Sequence, residues 1–198
     1  VYTIALTEAG QVFSWGMGES GCLGHGNQQG LHTPKLVEVL QAMRVVGVAA
    51  SVKYSLARTD AGRLFQWGWL ADRAAGASQH QKLLVPTLVT ALQATKVVDM
   101  AAGDSFSLAL NEAGRVYSWG YGGVCNALGH AWQPGVPHVH DKISTPTMIE
   151  ALEPHKIVSV KGADNGLAIS EAGRVFSWGE GFRGRLGHGD EENQLTPK

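Results

Sequence analysis

Five side chains able to hold a metal crowd one stretch of the chain: Cys125, His130, His138, His140 and Asp141. A thiolate and imidazoles so close together are the donor types of a zinc site. The Cys-x4-His-x7-His-x-His order matches no established metal module, and His130 falls in a Leu-Gly-His motif that recurs at His25 and His188. A motif repeated along the chain points to structure, with the ring hydrogen-bonding its loop backbone, so no metal is expected. Ser14, Ser118 and Ser177 recur in the same way, each in Ser-Trp-Gly. They read as strand residues with no oriented base beside them, so no catalytic residue is assigned.

Glycine-rich loops such as Gly16-Met17-Gly18-Glu19-Ser20-Gly21 invite a phosphate reading. A phosphate-binding loop needs a GxxxxGK[ST] run between a strand and a helix, and this chain has none, so no cofactor is expected. Arg183–Arg185 followed by Asp190-Glu191-Glu192 reads as a short, solvated loop of mixed charge. What remains is recognition. Trp69 and Trp132 fall outside the repeat register described below. With His138, His140 and Asp141 they are the candidate partner contacts, since exposed aromatic anchors are enriched at binding hot spots.

The elements that must position these residues follow from composition and periodicity. The 198 residues are 44% hydrophobic and carry 16 Lys+Arg against 17 Asp+Glu, a formal charge of −1. A buried core is therefore available, and a strongly basic nucleic-acid surface is excluded. No apolar run is long enough for a membrane helix, and no secretory signal is visible. Two cysteines, Cys22 and Cys125, cannot make a disulfide framework, which favours an intracellular protein. The 26 glycines imply many tight turns.

A repeat decides the architecture. EAGQVFSWG at 8–16, DAGRLFQWG at 60–68, EAGRVYSWG at 112–120 and EAGRVFSWG at 171–179 place tryptophans at Trp15, Trp67, Trp119 and Trp178. Pro34, Pro86, Pro146 and Pro197 recur in phase, with an eight-residue expansion between Gly120 and Pro146. The repeat units run approximately 1–34, 35–86, 87–146 and 147–198. Each reads as β. A strand, a turn at Gly10, Gly62, Gly114 or Gly173 and a second strand form a hairpin; Val45–Val48 and its equivalents add a third strand, and the stretch after each Pro a fourth. The proline is expected at the start of that strand, where it costs no ladder bond. Four strands in about fifty residues describe one blade of an all-β propeller. The four repeat tryptophans are expected to pack between blades.

The motif Glu-Ala-Gly-Arg-Val-Phe-Ser-Trp-Gly, then Leu-Gly-His-Gly (Leu23–Gly26, Leu186–Gly189), then Thr-Pro (Thr33-Pro34, Thr196-Pro197), resembles the repeat of the regulator of chromosome condensation family. The resemblance covers the whole chain. It implies a propeller of usually seven four-stranded blades, whose sequence repeats are offset from the blades. The chain departs from the pattern where Tyr2, Tyr54, Phe106 and Asn165 stand at a position often held by His. Its second unit also reads Ala75-Gly76-Ala77-Ser78 in place of Leu-Gly-His-Gly.

With four Trp-bearing hairpins and three copies of the strands that join them, the chain is expected to be an incomplete arc of about four blades. It starts with Val1 and so reads as a piece of a longer or processed chain. The expected function is a protein–protein interaction scaffold whose blade loops meet a protein partner, a large assembly or a small GTPase. The resemblance also implies two alternatives: guanine-nucleotide exchange on a small GTPase, which needs no hydrolytic residue, and a propeller module within a multidomain ubiquitin ligase. The remaining blades are expected from the parent chain. No direct nucleic-acid or membrane contact is expected. Light sensing is set aside because the Gly-Trp-Arg-His-Thr motif of a plant photoreceptor relative is missing.

Overall fold

Each hairpin begins from the same local chemistry. Gly10, Gly62, Gly114 and Gly173 adopt φ of 83°, 76°, 81° and 78°, a left-handed conformation in which only glycine escapes a steric penalty. Their amides donate back to the carbonyls of Thr7, Thr59, Asn111 and Ser170 at 2.9–3.0 Å. The side chains of those four residues then accept the amide one residue past the glycine, from Gln11, Arg63, Arg115 and Arg174. A short polar residue five positions before the second strand therefore closes every turn.

The computed structural model describes residues 1–69, 82–123, 127–131 and 142–198. Among the described residues, fourteen strands form four antiparallel sheets. The first sheet orders β1 (Tyr2–Leu6), β2 (Val12–Gly16) and β3 (Leu31–Leu36). The second orders β4 (Val45–Ala50), β5 (Tyr54–Thr59), β6 (Leu64–Trp69) and β7 (Lys82–Leu88). β8 (Val97–Ala102), β9 (Phe106–Asn111), β10 (Val116–Tyr121) and β11 (Lys142–Met148) make the third. The fourth holds β12 (Ile157–Gly162), β13 (Gly166–Ser170) and β14 (Val175–Trp178), with an isolated bridge between Gly179 and Gln194. Every strand pairs with its sequence neighbour, as in the blades of a propeller.

One expectation is corrected. The prolines do not open the fourth strands: Pro34, Pro86 and Pro146 lie inside β3, β7 and β11. Each sits where the ladder is interrupted, for instance between the pairs Gln66–Thr87 and Gly68–Leu83. The same jump separates Ser14–Lys35 from Gly16–Leu31, and Ser118–Thr147 from Gly120–Ile143. An irregular stretch on an outer strand asks for no amide donor, which is why proline is tolerated there.

The chain divides into two compact units, the boundary falling within β8 between Val98 and Asp99. In the first unit Val12, Val37, Leu40 and Val45 pack with Ala57, Phe65 and Trp67, so the first two sheets share one core. In the second unit Leu108, Leu110 and Val116 pack with Val160, Ala168, Phe176 and Trp178. After β3, β7 and β11 a single 3-10 turn ends on Leu40, Leu92 or Leu152, each buried. In the second unit the Asp99 carboxylate also accepts bonds from Ser159 Oγ at 3.1 Å and the Val160 amide at 3.0 Å. This ties β8 to β12.

Candidate interaction loops and the groups that brace them

The loop after each β2-type strand is held by its own sheet. Ser14, buried on β2, donates its hydroxyl proton to the Leu23 carbonyl at 2.6 Å. His25 Nε2 lies 3.0 Å from the same Oγ. The arrangement recurs in Ser118–Leu128–His130, at 2.7 and 2.8 Å, and in Ser177–Leu186–His188, at 2.7 Å for both contacts. A hydroxyl carries one proton, and the carbonyl takes it. The imidazole must then present Nε2–H to the oxygen lone pair. Burial also lowers the His25 pKa below its ordinary value.

A Ser–His pair within 3.0 Å resembles a catalytic dyad, but the chemistry is closed. The histidine has no lone pair aimed at the serine, and the three serines are 0–4% exposed. No substrate carbonyl can reach them. The pair is a strut.

Sequence reasoning missed this pairing and expected the histidine to bond the loop backbone directly. The histidine instead meets the serine, which bonds the backbone on its behalf. The signal was present: the one hairpin with Gln66 in place of serine is followed by the loop that lacks Leu-Gly-His.

A second repeated contact crosses between sheets within each unit. Trp67 Nε1 of the second sheet donates to the Cys22 carbonyl in the loop of the first, at 2.7 Å. Trp178 Nε1 of the fourth sheet donates to the Ala127 carbonyl in the loop of the third, at 2.9 Å. Both acceptors immediately precede a Leu-Gly-His. The glycine lets the indole approach: a Cβ on Gly24 would stand 2.8 Å from Trp67 Nε1, and one on Gly129 2.9 Å from Trp178 Nε1. Ser55 Oγ also donates to the Cys22 carbonyl, at 2.9 Å. Cys22 is a free, buried thiol whose Sγ donates to the Met17 carbonyl, and burial pushes its pKa up to about 11, so it is inert as a nucleophile.

The remaining repeat tryptophans lie on β2 and β10. Trp119 is buried and Trp15 is partly exposed. Among the partner candidates, Trp69 ends β6, partly exposed, with Lys53 Nζ 4.0 Å above its ring. Trp132, His138, His140 and Asp141 lie outside the described residues, as does Cys125. Of the candidate metal set only His130 is described, and its Nε2 is on Ser118.

In the second unit, a shallow cleft of about 220 Å³ is lined by Asp104, Ser105, Tyr121, Asp164 and Glu180, among others. Arg185 bonds Asp164, in the turn between β12 and β13, at 3.1 Å and Glu180 at 2.8 Å, so part of the Arg183–Arg185 charge is already paired. Beside it Phe182 stands 49% exposed, with the Arg183 and Arg185 guanidinium groups 5.1 and 6.0 Å from its ring. This exposed aromatic was not singled out from sequence, because Phe182 follows Gly181 with no pattern to mark its exposure. Among the described residues, no helix is long and apolar enough to cross a membrane.

Blade-like sheets, three of them braced by the same loop strut among the described residues, define a β-propeller repeat protein. The model of the Regulator of chromosome condensation (RCC1) repeat matches residues 9–58, 61–110 and 172–198, and a second model of that repeat matches 97–125. The chain belongs to this family. Human HERC2, an E3 ubiquitin-protein ligase, is 36% identical over 200 residues, spanning 100% of this chain and 4% of HERC2. The crystal structure of human WBSCR16 matches with a TM-score of 0.82 and 28% identity, over 100% of this chain and 50% of that one. Prp20p from Saccharomyces cerevisiae, whose structure was described together with its binding properties to Gsp1p and histones, matches with a TM-score of 0.78 and 24% identity, over 48% of its chain. The chain thus spans about half of the two solved chains and a small fraction of HERC2.

Proposed function

We propose that this chain is a protein–protein interaction propeller whose loops meet a protein partner. The observation that carries this reading is the Ser–His–carbonyl strut, made three times among the described residues. It uses the repeat's polar side chains to fix glycine-rich loops onto their sheets. Functional residues on such a scaffold belong on the loops, where insertions cost the fold little. The contacts assigned to the partner are Trp69, Trp132, His138, His140 and Asp141, together with Phe182. The partner is a protein rather than nucleic acid, since the chain has no basic excess. A free Cys22 thiol supports a reducing, intracellular setting. The 36% identity to HERC2 favours a second, compatible reading in which the propeller is one module of a larger chain.

The test is retrieval of stoichiometric partners by the intact protein from its source, with and without added GTP. An assembly insensitive to GTP is expected. A small GTPase released by GTP would replace the scaffold reading with nucleotide exchange, which acts by favouring the nucleotide-free GTPase.

A further inference from the structure

Among the described residues, β3, β7 and β11 each end a sheet and pair with a strand on one side only. Blades stack face to face, so this outer edge stays open in a complete ring as well. An open edge is a template on which another chain can add a strand. Two of the three are apt for it by composition. Leu83–Val89 carries five aliphatic residues and no charge, and Ile143–Ile149 is also uncharged. Without its proline, each would be a short, β-prone segment of the kind that stacks between chains.

Each edge is closed at the same place. Opposite Trp15, Trp67 and Trp119 the outer strand sets three residues against one: 32–34, 84–86 and 144–146. The last of each three is the proline, which has no N–H to offer. The residue after it completes the closure in one of two ways. Thr87 Oγ1 donates to the Val85 carbonyl at 3.0 Å, and Thr147 Oγ1 donates to the Thr145 carbonyl at 3.0 Å. Both threonines are exposed, yet each turns its hydroxyl back onto its own strand. In β3 the same position is Lys35, also exposed, and a lysine there repels an approaching strand by charge. In β7 the Leu84 carbonyl is taken too, by the Gly26 amide from the loop of the first sheet at 2.9 Å.

We propose that the pairs Pro34–Lys35, Pro86–Thr87 and Pro146–Thr147 keep the outer strands from pairing with other chains. Proline deletes a donor. The threonine hydroxyl then occupies an acceptor in β7 and β11, where β3 has a charge instead. The recurring Thr-Pro and Pro-Thr steps therefore serve solubility of the scaffold, separately from the loops that meet a partner.

The test is made on the intact protein carrying Pro146→Val and Thr147→Val, which restore an amide and remove the hydroxyl on the half-buried edge of β11. Below its melting temperature this variant should lose soluble protein about tenfold faster than the parent, with an infrared band of intermolecular strands. Adding Thr145→Lys, at an exposed position of the same edge, should restore solubility. Val160→Ala, a buried change on β12, is the comparison for lost stability alone. Should the double variant misfold, Thr147→Val by itself, at an exposed site, should speed the loss in the same direction. A double variant as soluble as the parent overturns the proposal. So does aggregation no faster than that of Val160→Ala at the same interval below melting, or aggregation that Thr145→Lys leaves unchanged.

Discussion

His25 Nε2 lies 3.0 Å from Ser14 Oγ, whose proton is committed to the Leu23 carbonyl at 2.6 Å. A sheet residue thereby holds the glycine-rich loop that follows it. Ser14→Ala removes the middle of this chain of bonds and strands a buried carbonyl. The expected cost is about 1–3 kcal/mol in urea unfolding. A double-mutant cycle with His25→Ala should show a coupling of about 1 kcal/mol. Additive effects would mean that the two residues do not act as one strut.

Gly24 and Gly187 share the left-handed backbone, at φ of 78° and 77°, but differ in surroundings. Substituting alanine costs backbone strain of about 1 kcal/mol at either position. Only Gly24→Ala also drives a methyl against Trp67, so its melting temperature should fall further than that of Gly187→Ala, measured at low protein concentration. Equal losses would remove the argument that the indole sets the requirement for glycine.

Trp178 is fully buried, and Trp119 is 4% exposed. Replacing either with alanine should destabilise the fold by about 3–5 kcal/mol, the range for large core aromatics. Trp178→Phe should recover much of the packing and still lose the bond to the Ala127 carbonyl. Near-neutral unfolding energies for the alanine variants would contradict packing roles for these rings.

Stability should depend on pH through His25. Burial depresses its folded pKa below the ordinary 6.5, so between the two values the unfolded chain binds more protons. The contribution is complete above about 6.5 and is lost as pH falls through the folded value. Melting temperatures measured across this window should decline towards acid, and His25→Gln should flatten the decline. An unchanged slope in the variant would show that other groups carry it.

The fold was legible because its marks are local. A glycine at a fixed place in each hairpin, and Trp-Gly at its end, reveal the strands through turn chemistry and two-residue alternation. What stayed hidden depends on distance along the chain or on register. Trp67 meets an acceptor 45 residues away, and Trp178 one 51 residues away. The bulges that absorb Pro34, Pro86 and Pro146 exist only once the strands pair. Ser14 and His25 are 11 residues apart across a loop whose path no periodicity reveals. The substitution at Gln66 shows how such a pair can be read from a repeat: the unit that has lost serine has also lost the histidine motif.

The central claim is that loops fixed on this scaffold bind a protein partner. Its most direct test is calorimetric titration of the retrieved partner into the intact protein, beside a variant with 131–141 shortened. The variant should melt at the same temperature and bind at least ~10-fold more weakly, a loss of about 1.4 kcal/mol. Equal affinity in a folded variant would contradict the assignment of that loop, and loss of folding would show that the loop belongs to the scaffold.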